Sequence, residues 1–173
     1  MTSTLTVPLS ATAKPQELDF DALYRASRDD VYAYVATLLR DRSAAEDVTA
    51  QAFERAFRRR RSFDARRGSP RPWIFGIARN AALDELRKRK RSAALEFDPP
   101  APGDGDESER VAARTTVLAA LGTLAVRERE VIALKYHADL DNSELAAVLG
   151  VSVSNAGTLL HRAMTKLRKA IDD

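Results

Sequence analysis

The chain contains no cysteine, and only two of its 173 residues are histidine, His137 and His161. Disulfides, thiolate zinc sites and a thiol-based switch are therefore excluded within this chain, as is a histidine-rich metal site. No apolar run approaches the length of a membrane span. The N-terminus lacks both the basic start and the apolar core of a signal peptide. A cytoplasmic protein without membrane insertion is expected. Equally missing are a nucleophile–base pair, a metal-ligand cluster and a phosphate-binding glycine loop. The expectation is a protein that is not an enzyme, with no metal, no cofactor and no small-molecule substrate.

What the chain does have is charge, unevenly placed. The formal net charge is only +3. Yet Arg55 to Arg91 holds fourteen Lys or Arg against three acids (Asp64, Asp84, Glu85), a local net of about +11. Ser92 to Glu109 holds six acids and no base. Such segregation favours a polyanion as partner of the first block. The basic block culminates in Trp73–Arg91, which reads as one long helix with Gly76 its only poor helix former. At about 100° per residue, Trp73, Ile74, Ile77, Ala78, Ala81 and Ala82 share one side. Gly76, Asn80, Asp84, Arg87 and Arg91 share the other. Cations suit a helix C-terminus, but the run Arg87 to Arg91 exceeds what a helix end needs. A basic face on an apolar scaffold is the footprint of nucleic-acid binding; a solvated charged face is the alternative.

Residues 1–16 are rich in Ser, Thr, Ala and Pro without periodicity and read as a disordered tail. From Glu17 to Arg40 the spacing is helical, through Phe20, Leu23 and Tyr24, then Val31, Tyr32, Val35, Leu38 and Leu39. The break Arg28-Asp29-Asp30 is expected to start a second helix. Ser43 is the expected cap of the next, with Glu46 completing a capping box. That helix should run to about Arg60 and bury Val48, Ala52, Phe53, Ala56 and Phe57. Ser62–Pro72 is a basic loop by composition. Its Phe63 has two readings, a surface for unstacked bases or a core plug. Residues 92–110, with Pro99, Pro100, Pro102, Gly103 and Gly105 among the acids, read as a flexible linker.

A second domain is expected from about Val111. Val117, Leu118, Leu121 and Leu124 are spaced for one helix, and a second starts near Arg127 with Val131, Ile132, Leu134 and Tyr136 as its core side. Asp141 and Glu144 form a capping box for a short helix, Asn142–Leu149. Gly150 suits its left-handed end, and Ser152 caps a last helix, Val153–Ile171. Short helix, glycine turn and longer helix form the helix-turn-helix pattern. In the last helix Val153, Ala156, Leu160, Ala163, Met164, Leu167 and Ile171 share one face. Ser154, Thr158, His161, Arg162, Thr165 and Lys169 share the other, where a recognition helix carries its donors.

Together these residues resemble an extracytoplasmic-function (ECF) sigma factor, a small bacterial transcription initiation factor. Ala45-Glu46-Asp47-Val48, Phe53 and Arg55-Ala56 resemble the helix that docks on the β′ clamp of RNA polymerase. Trp73 to Asn80 resembles the helix that recognises and melts the promoter −10 element. Arg127 to Val131, Glu144-Leu145-Ala146, Leu149 to Ser152, Arg162-Ala163 and Leu167-Arg168 resemble the domain that reads the −35 element. The chain departs from the family at Ala50-Gln51, where Gln-Glu is usual, and at Gly157, where a Lys or Arg is usual.

The resemblance implies an all-α protein of two small helical domains, 17–91 and 111–173, joined by the acidic linker. Implied partners are core RNA polymerase through its β′ clamp and β subunits, promoter DNA, and an anti-sigma factor as regulator. The polymerase contacts fall on Glu46, Asp47, Gln51 and Arg55. The −10 contacts fall on Phe63, Arg67, Arg71, Asn80, Arg87 and Arg91, and the −35 contacts on Ser154, Asn155, Thr158, His161, Arg162 and Thr165. Arg162 could take guanine in a bidentate contact or a phosphate. The linker could mimic nucleic acid in the polymerase cleft or serve as a spacer. The rival is a stand-alone helix-turn-helix regulator whose residues 17–91 form an effector or dimer module. An RNA-binding structural protein fits the basic block but leaves the capped helix-turn-helix without a purpose.

Overall fold

The computed structural model describes residues 17–94 and 108–172, and among these there is helix but no strand. Seven α-helices follow in order: α1 Phe20–Leu39, α2 Arg42–Arg59, α3 Pro70–Ala93, α4 Ser108–Thr123, α5 Val126–His137, α6 Asn142–Leu149 and α7 Val153–Asp172. The N-terminal tail and most of the linker lie outside the described residues, so their expected disorder and flexibility are not addressed by them. Helix continues through Ala93 and resumes at Ser108, inside the 92–110 span assigned to the linker.

Local sequence sets most of the boundaries. Asp19 caps α1 through a 3.0 Å bond from the Ala22 amide to its Oδ1. The helix then runs unbroken through Arg28-Asp29-Asp30, against expectation. None of the three is a Gly or Pro, Ser27 just before them is buried, and Asp30 is held by Arg71 at 2.6 Å. At its end Arg40 takes a left-handed conformation, φ 54°. The chain therefore turns early, and Asp41, not Ser43, caps α2 by accepting from the Ala44 amide at 3.0 Å. α3 starts at Pro70 rather than Trp73. A proline in the first turn gives up no helical hydrogen bond and has its φ already set, so a stretch that reads as loop by composition is the helix's opening turn.

α1, α2 and α3 pack on one another, and α4, α6 and α7 gather with α5 into a second unit. The two units also meet: α5 lies against α1, and α6 against α3. The buried apolar residues form one continuous core across both. Its centre includes Val31, Tyr34, Val35 and Leu38 of α1, Phe75 of α3 and Leu134 of α5. Removing a Leu or Val of this kind from water is worth about 1.5–3 kcal/mol. The joint explains three departures from simple periodicity. Phe75 lies outside the expected apolar stripe of α3 but is fully buried, its ring edge-on to Tyr34 at 5.7 Å. In α5 the four consecutive residues Val131 to Leu134 are all buried, because helices cover it on both sides. Tyr136, expected in the core, is turned outward and 64% exposed. Phe57 is another expected core residue that stays at the surface, at 48% exposure, with the Arg60 guanidinium 3.9 Å over its ring.

Candidate nucleic-acid and polymerase interfaces

The second unit presents a helix-turn-helix. Asp141 Oδ1 accepts from the Glu144 amide at 2.8 Å, and Glu144 Oε2 accepts from the Asp141 amide at 3.1 Å. This reciprocal cap starts α6, and Gly150 ends it at φ 67°, a backbone region that a side chain would strain. Ser152 Oγ then accepts from the Asn155 amide at 3.1 Å and launches α7. The axes of α6 and α7 differ by 94°, within the range for this motif. Leu145, Ala146 and Leu149 of α6 are buried, as are Ala156, Ala163 and Leu167 of α7. That packing fixes which way α7 faces. Ser154, Asn155, Thr158, His161, Arg162 and Thr165 are all exposed. Val153, expected to be buried, is 51% exposed at the open end of the helix. Thr158 and Thr165 each donate to the carbonyl four residues back, at 3.1 and 2.9 Å. Their hydroxyl oxygens remain free to accept. His161, Arg162, Thr165 and Lys166 line a shallow groove with Leu159 and Glu128. Lys166 pairs with Glu128 of α5, and this bond, ahead of the Ala125 amide that Glu128 also accepts, keeps the Glu128 carboxyl below its usual range.

The basic block of the first unit divides into structural and free cations. Arg89 bonds Glu85 at 3.1 Å, Asp41 at 3.0 Å and the Leu39 carbonyl at 3.2 Å, so it ties α3 to the α1–α2 turn. The Ala44 amide first and Arg89 second lower the Asp41 carboxyl. Arg87 pairs with Asp84 at 3.0 Å on the surface, while Asn80 and Arg91 are exposed on the same helix. Ahead of α3, Arg67 is exposed in a short 3₁₀ turn, Ala65–Arg67, capped by Asp64. Phe63 is half-buried, edge-on to Trp73 at 5.4 Å, so its ring is packed on one side and open on the other. Arg71 differs from its neighbours. It donates to Asp30 at 2.6 Å and to the carbonyls of Ala138 and His137 at 2.5 and 2.9 Å, the latter two in the second unit.

On α2, Glu46, Asp47 and Gln51 are exposed while Ala45, Val48 and Ala52 are buried, so an acidic and polar strip runs along the helix. Arg55 pairs with Asp84 of α3 at 3.5 Å and stays 43% exposed. Beside the strip, Tyr24, Arg28, Tyr32, Arg42 and Thr49 line a groove between α1 and α2.

Two residues with large roles in the structure escape a reading of the sequence as separate domains. Arg79 of α3 donates to Glu130 of α5 at 2.5 Å, and the Glu130 side chain is only 3% exposed. Tyr34, wholly buried, lies beside this pair; burial first and the Glu130 charge second hold its phenol well above the usual value. Arg79 interrupts an apolar stretch, a signal available in the sequence, whereas Glu130 closes the charged run that starts at Arg127 and carries no such signal. Groups of His, Asp and Glu suited to a metal ion are absent among the described residues.

Residues 23–92 match sigma-70 region 2, and residues 114–167 match sigma-70 region 4. The chain is 26% identical over 155 residues to the ECF RNA polymerase sigma factor SigM of Bacillus subtilis, covering 87% of this chain and 94% of SigM. It is 26% identical over 178 aligned positions to the ECF sigma factor SigK of a Mycobacterium species, covering 99% and 92%. Among solved structures it is similar to the sigma factor RpoE of Bartonella quintana in complex with the anti-sigma factor NepR. That match has a TM-score of 0.78 at 20% identity and covers 89% of this chain and 97% of RpoE. With region 2 matched on α1–α3, region 4 on the helix-turn-helix unit, and relatives of the same size and order throughout, the chain belongs to the sigma-70 family as an ECF sigma factor.

Proposed function

We propose that this sigma factor divides its work among three surfaces. The exposed strip of α2, Glu46, Asp47 and Gln51 with Arg55, docks on the β′ clamp of core RNA polymerase. Phe63, Arg67, Arg71, Asn80, Arg87 and Arg91 act at the −10 element, where strands separate. A flipped base needs a stacking surface and the exposed strand needs cations; the half-open Phe63 ring and the exposed arginines supply both. The polar face of α7, Ser154, Asn155, Thr158, His161, Arg162 and Thr165, enters the major groove of intact duplex at the −35 element.

The observation that carries this reading is the complete outward display of those six polar side chains on a helix that a double-capped α6 holds in place. The protein acts as a binding factor in the cytoplasm, without chemistry of its own. No single described helix is long and apolar enough to cross a membrane. An anti-sigma factor is the proposed regulator, since the solved RpoE was found with one. Transcription in vitro with core polymerase and a promoter library tests the reading. Transcripts that depend on both protein and polymerase and share two sequence elements are expected. A specific footprint on DNA without polymerase, and no transcript with it, would instead establish the stand-alone regulator.

A further inference from the structure

Most charged and polar groups where the two units meet find their partners within the chain. Arg71 is held by Asp30 and two carbonyls, and Arg79 by Glu130. Thr37 Oγ1 donates to the Ala33 carbonyl at 2.8 Å and accepts from His137 Nε2 at 3.2 Å. Arg129 of α5 has no such partner. It is only 8% exposed, its buried Nε makes no hydrogen bond, and its guanidinium forms no ion pair among the described residues. A buried charge left unpaired is among the costlier features a fold can carry.

What the chain places beside it is a second cation. Arg40, exposed at the left-handed end of α1, lies close enough for its charge to lower the Arg129 pKa, with burial the larger cause. No carboxylate among the described residues acts on Arg129 in the opposite sense. Space is kept for this approach. The Arg40 guanidinium lies on Gly122, in the last turn of α4: a Cβ built there would stand 2.6 Å from Arg40 Nη1 and 2.7 Å from its Cζ. The φ of Gly122 is not positive, so the backbone there suits any residue, and within a helix glycine is a weak choice. What glycine supplies is the room into which the guanidinium fits. A buried cation, an exposed cation and a cleared surface thus meet at one spot, from α5, α1 and α4.

We propose that Arg40 and Arg129, beside Gly122, form a binding site for a phosphate group, either inorganic phosphate or the phosphoryl end of a small ester. A guanidinium is planar, and its paired N–H donors match two oxygens of a tetrahedral oxyanion. Phosphate has an edge for each of two guanidinium groups and, as a dianion, the charge to balance both; a carboxylate has one edge and one charge. Bound there, phosphate accepts from Arg129 and turns a repulsive pair into a bridged one. Arg40 is exposed, so the site opens to solvent at that end, where the remainder of an ester would project. The site lies outside the three surfaces assigned above and does not rest on their assignment.

The test is thermal melting of the full chain at pH 8, in inorganic phosphate against sodium chloride of equal ionic strength, with titration calorimetry for the number of sites. Phosphate should raise the melting temperature saturably and bind at one site, since a ligand of the folded state stabilises it. Arg129→Met, apolar and of similar length, should abolish that site. In phosphate-free buffer it should melt above the unsubstituted chain, because it removes an unpaired buried charge. Arg40→Gln should weaken phosphate by about tenfold or more, through loss of one charge-assisted pair of hydrogen bonds. Gly122→Ala keeps both charges and displaces only the Arg40 guanidinium; it should weaken phosphate by a similar factor while circular dichroism shows helicity kept. Arg25→Gln, at a surface charge outside the site, should bind as the unsubstituted chain does. If Arg129→Met does not fold, Arg40→Gln and Gly122→Ala carry the test. Ribose 5-phosphate separates the two sources: binding at the same arginines admits esters, and binding of inorganic phosphate alone assigns the site to the free ion. No phosphate effect beyond that of chloride overturns the site. So does a phosphate effect that all three substitutions leave intact, which would be an adventitious ion only.

Discussion

Changing Arg162 to Ala separates reading of the −35 element from melting of the −10 element. The side chain is exposed on α7 and lines the groove beside Thr165 and Lys166, and it forms no ion pair among the described residues. Its loss should therefore leave stability within about 0.5 kcal/mol, as for other surface substitutions. Any larger effect on transcription is then a binding effect. If Arg162 takes a base edge, the loss should be about 1–3 kcal/mol, confined to one −35 position; at 1.4 kcal/mol per decade this is about a 5- to 150-fold fall at the matched base. If it takes a phosphate, binding weakens alike on all sequences and the salt slope drops by about one. Asn80→Ala, on the exposed face of α3, should instead impair −10 discrimination or opening and leave −35 preference intact. The assay is transcription on two matched templates, one fully duplex and one with the −10 segment pre-melted by mismatches. Pre-melting should rescue part of the Asn80→Ala defect and none of the −35 preference lost with Arg162. Equal rescue of both variants, or of neither, refutes the division of labour.

Reversing the charges of Glu46 and Asp47 should weaken retention on immobilised core polymerase without lowering the melting temperature, since both side chains are exposed; normal retention removes α2 from the docking assignment. Asp141→Ala should cost about 1 kcal/mol, the usual worth of an N-cap, and because α6 has only eight residues it should weaken −35 binding as well, read by thermal melting and by promoter binding together. Burial lowers the His137 pKa, with Asp30 opposing, so the folded, joined form binds fewer protons there than a separated or unfolded one. Stability from this group is present above its ordinary value of about 6.5 and is lost as pH falls below it. Melting temperature should drop from pH 7.5 to pH 5.5, above the range in which Asp41, Asp64 and Glu128 lose theirs. His137→Gln, which keeps a donor for Thr37 and does not titrate, should flatten that drop; an unchanged drop would exclude His137 as its source.

The sequence by itself determined what depends on neighbours along the chain. Asp141, Glu144, Gly150 and Ser152 specify the helix-turn-helix because caps and left-handed turns are closed by residues within three or four positions. The spacing of Ala156, Ala163 and Leu167 then turns the polar face of α7 outward, and that face was legible in full. The basic stripe Asn80, Arg87 and Arg91 was legible for the same reason. Only the tertiary structure decided which charges are spent inside the protein. Arg71, Arg79 and Arg89 look like the exposed arginines around them, but their partners lie 51 positions away for Arg79, 41 and 67 for Arg71, and 48 for Arg89. Likewise Phe75 is buried and Tyr136 exposed because α3 and α5 are each packed on more than one side, which a one-sided periodicity does not encode. Periodicity reports the face a helix turns to one neighbour; a second neighbour, brought by the joint between the units, redistributes burial and charge through contacts that no local pattern contains.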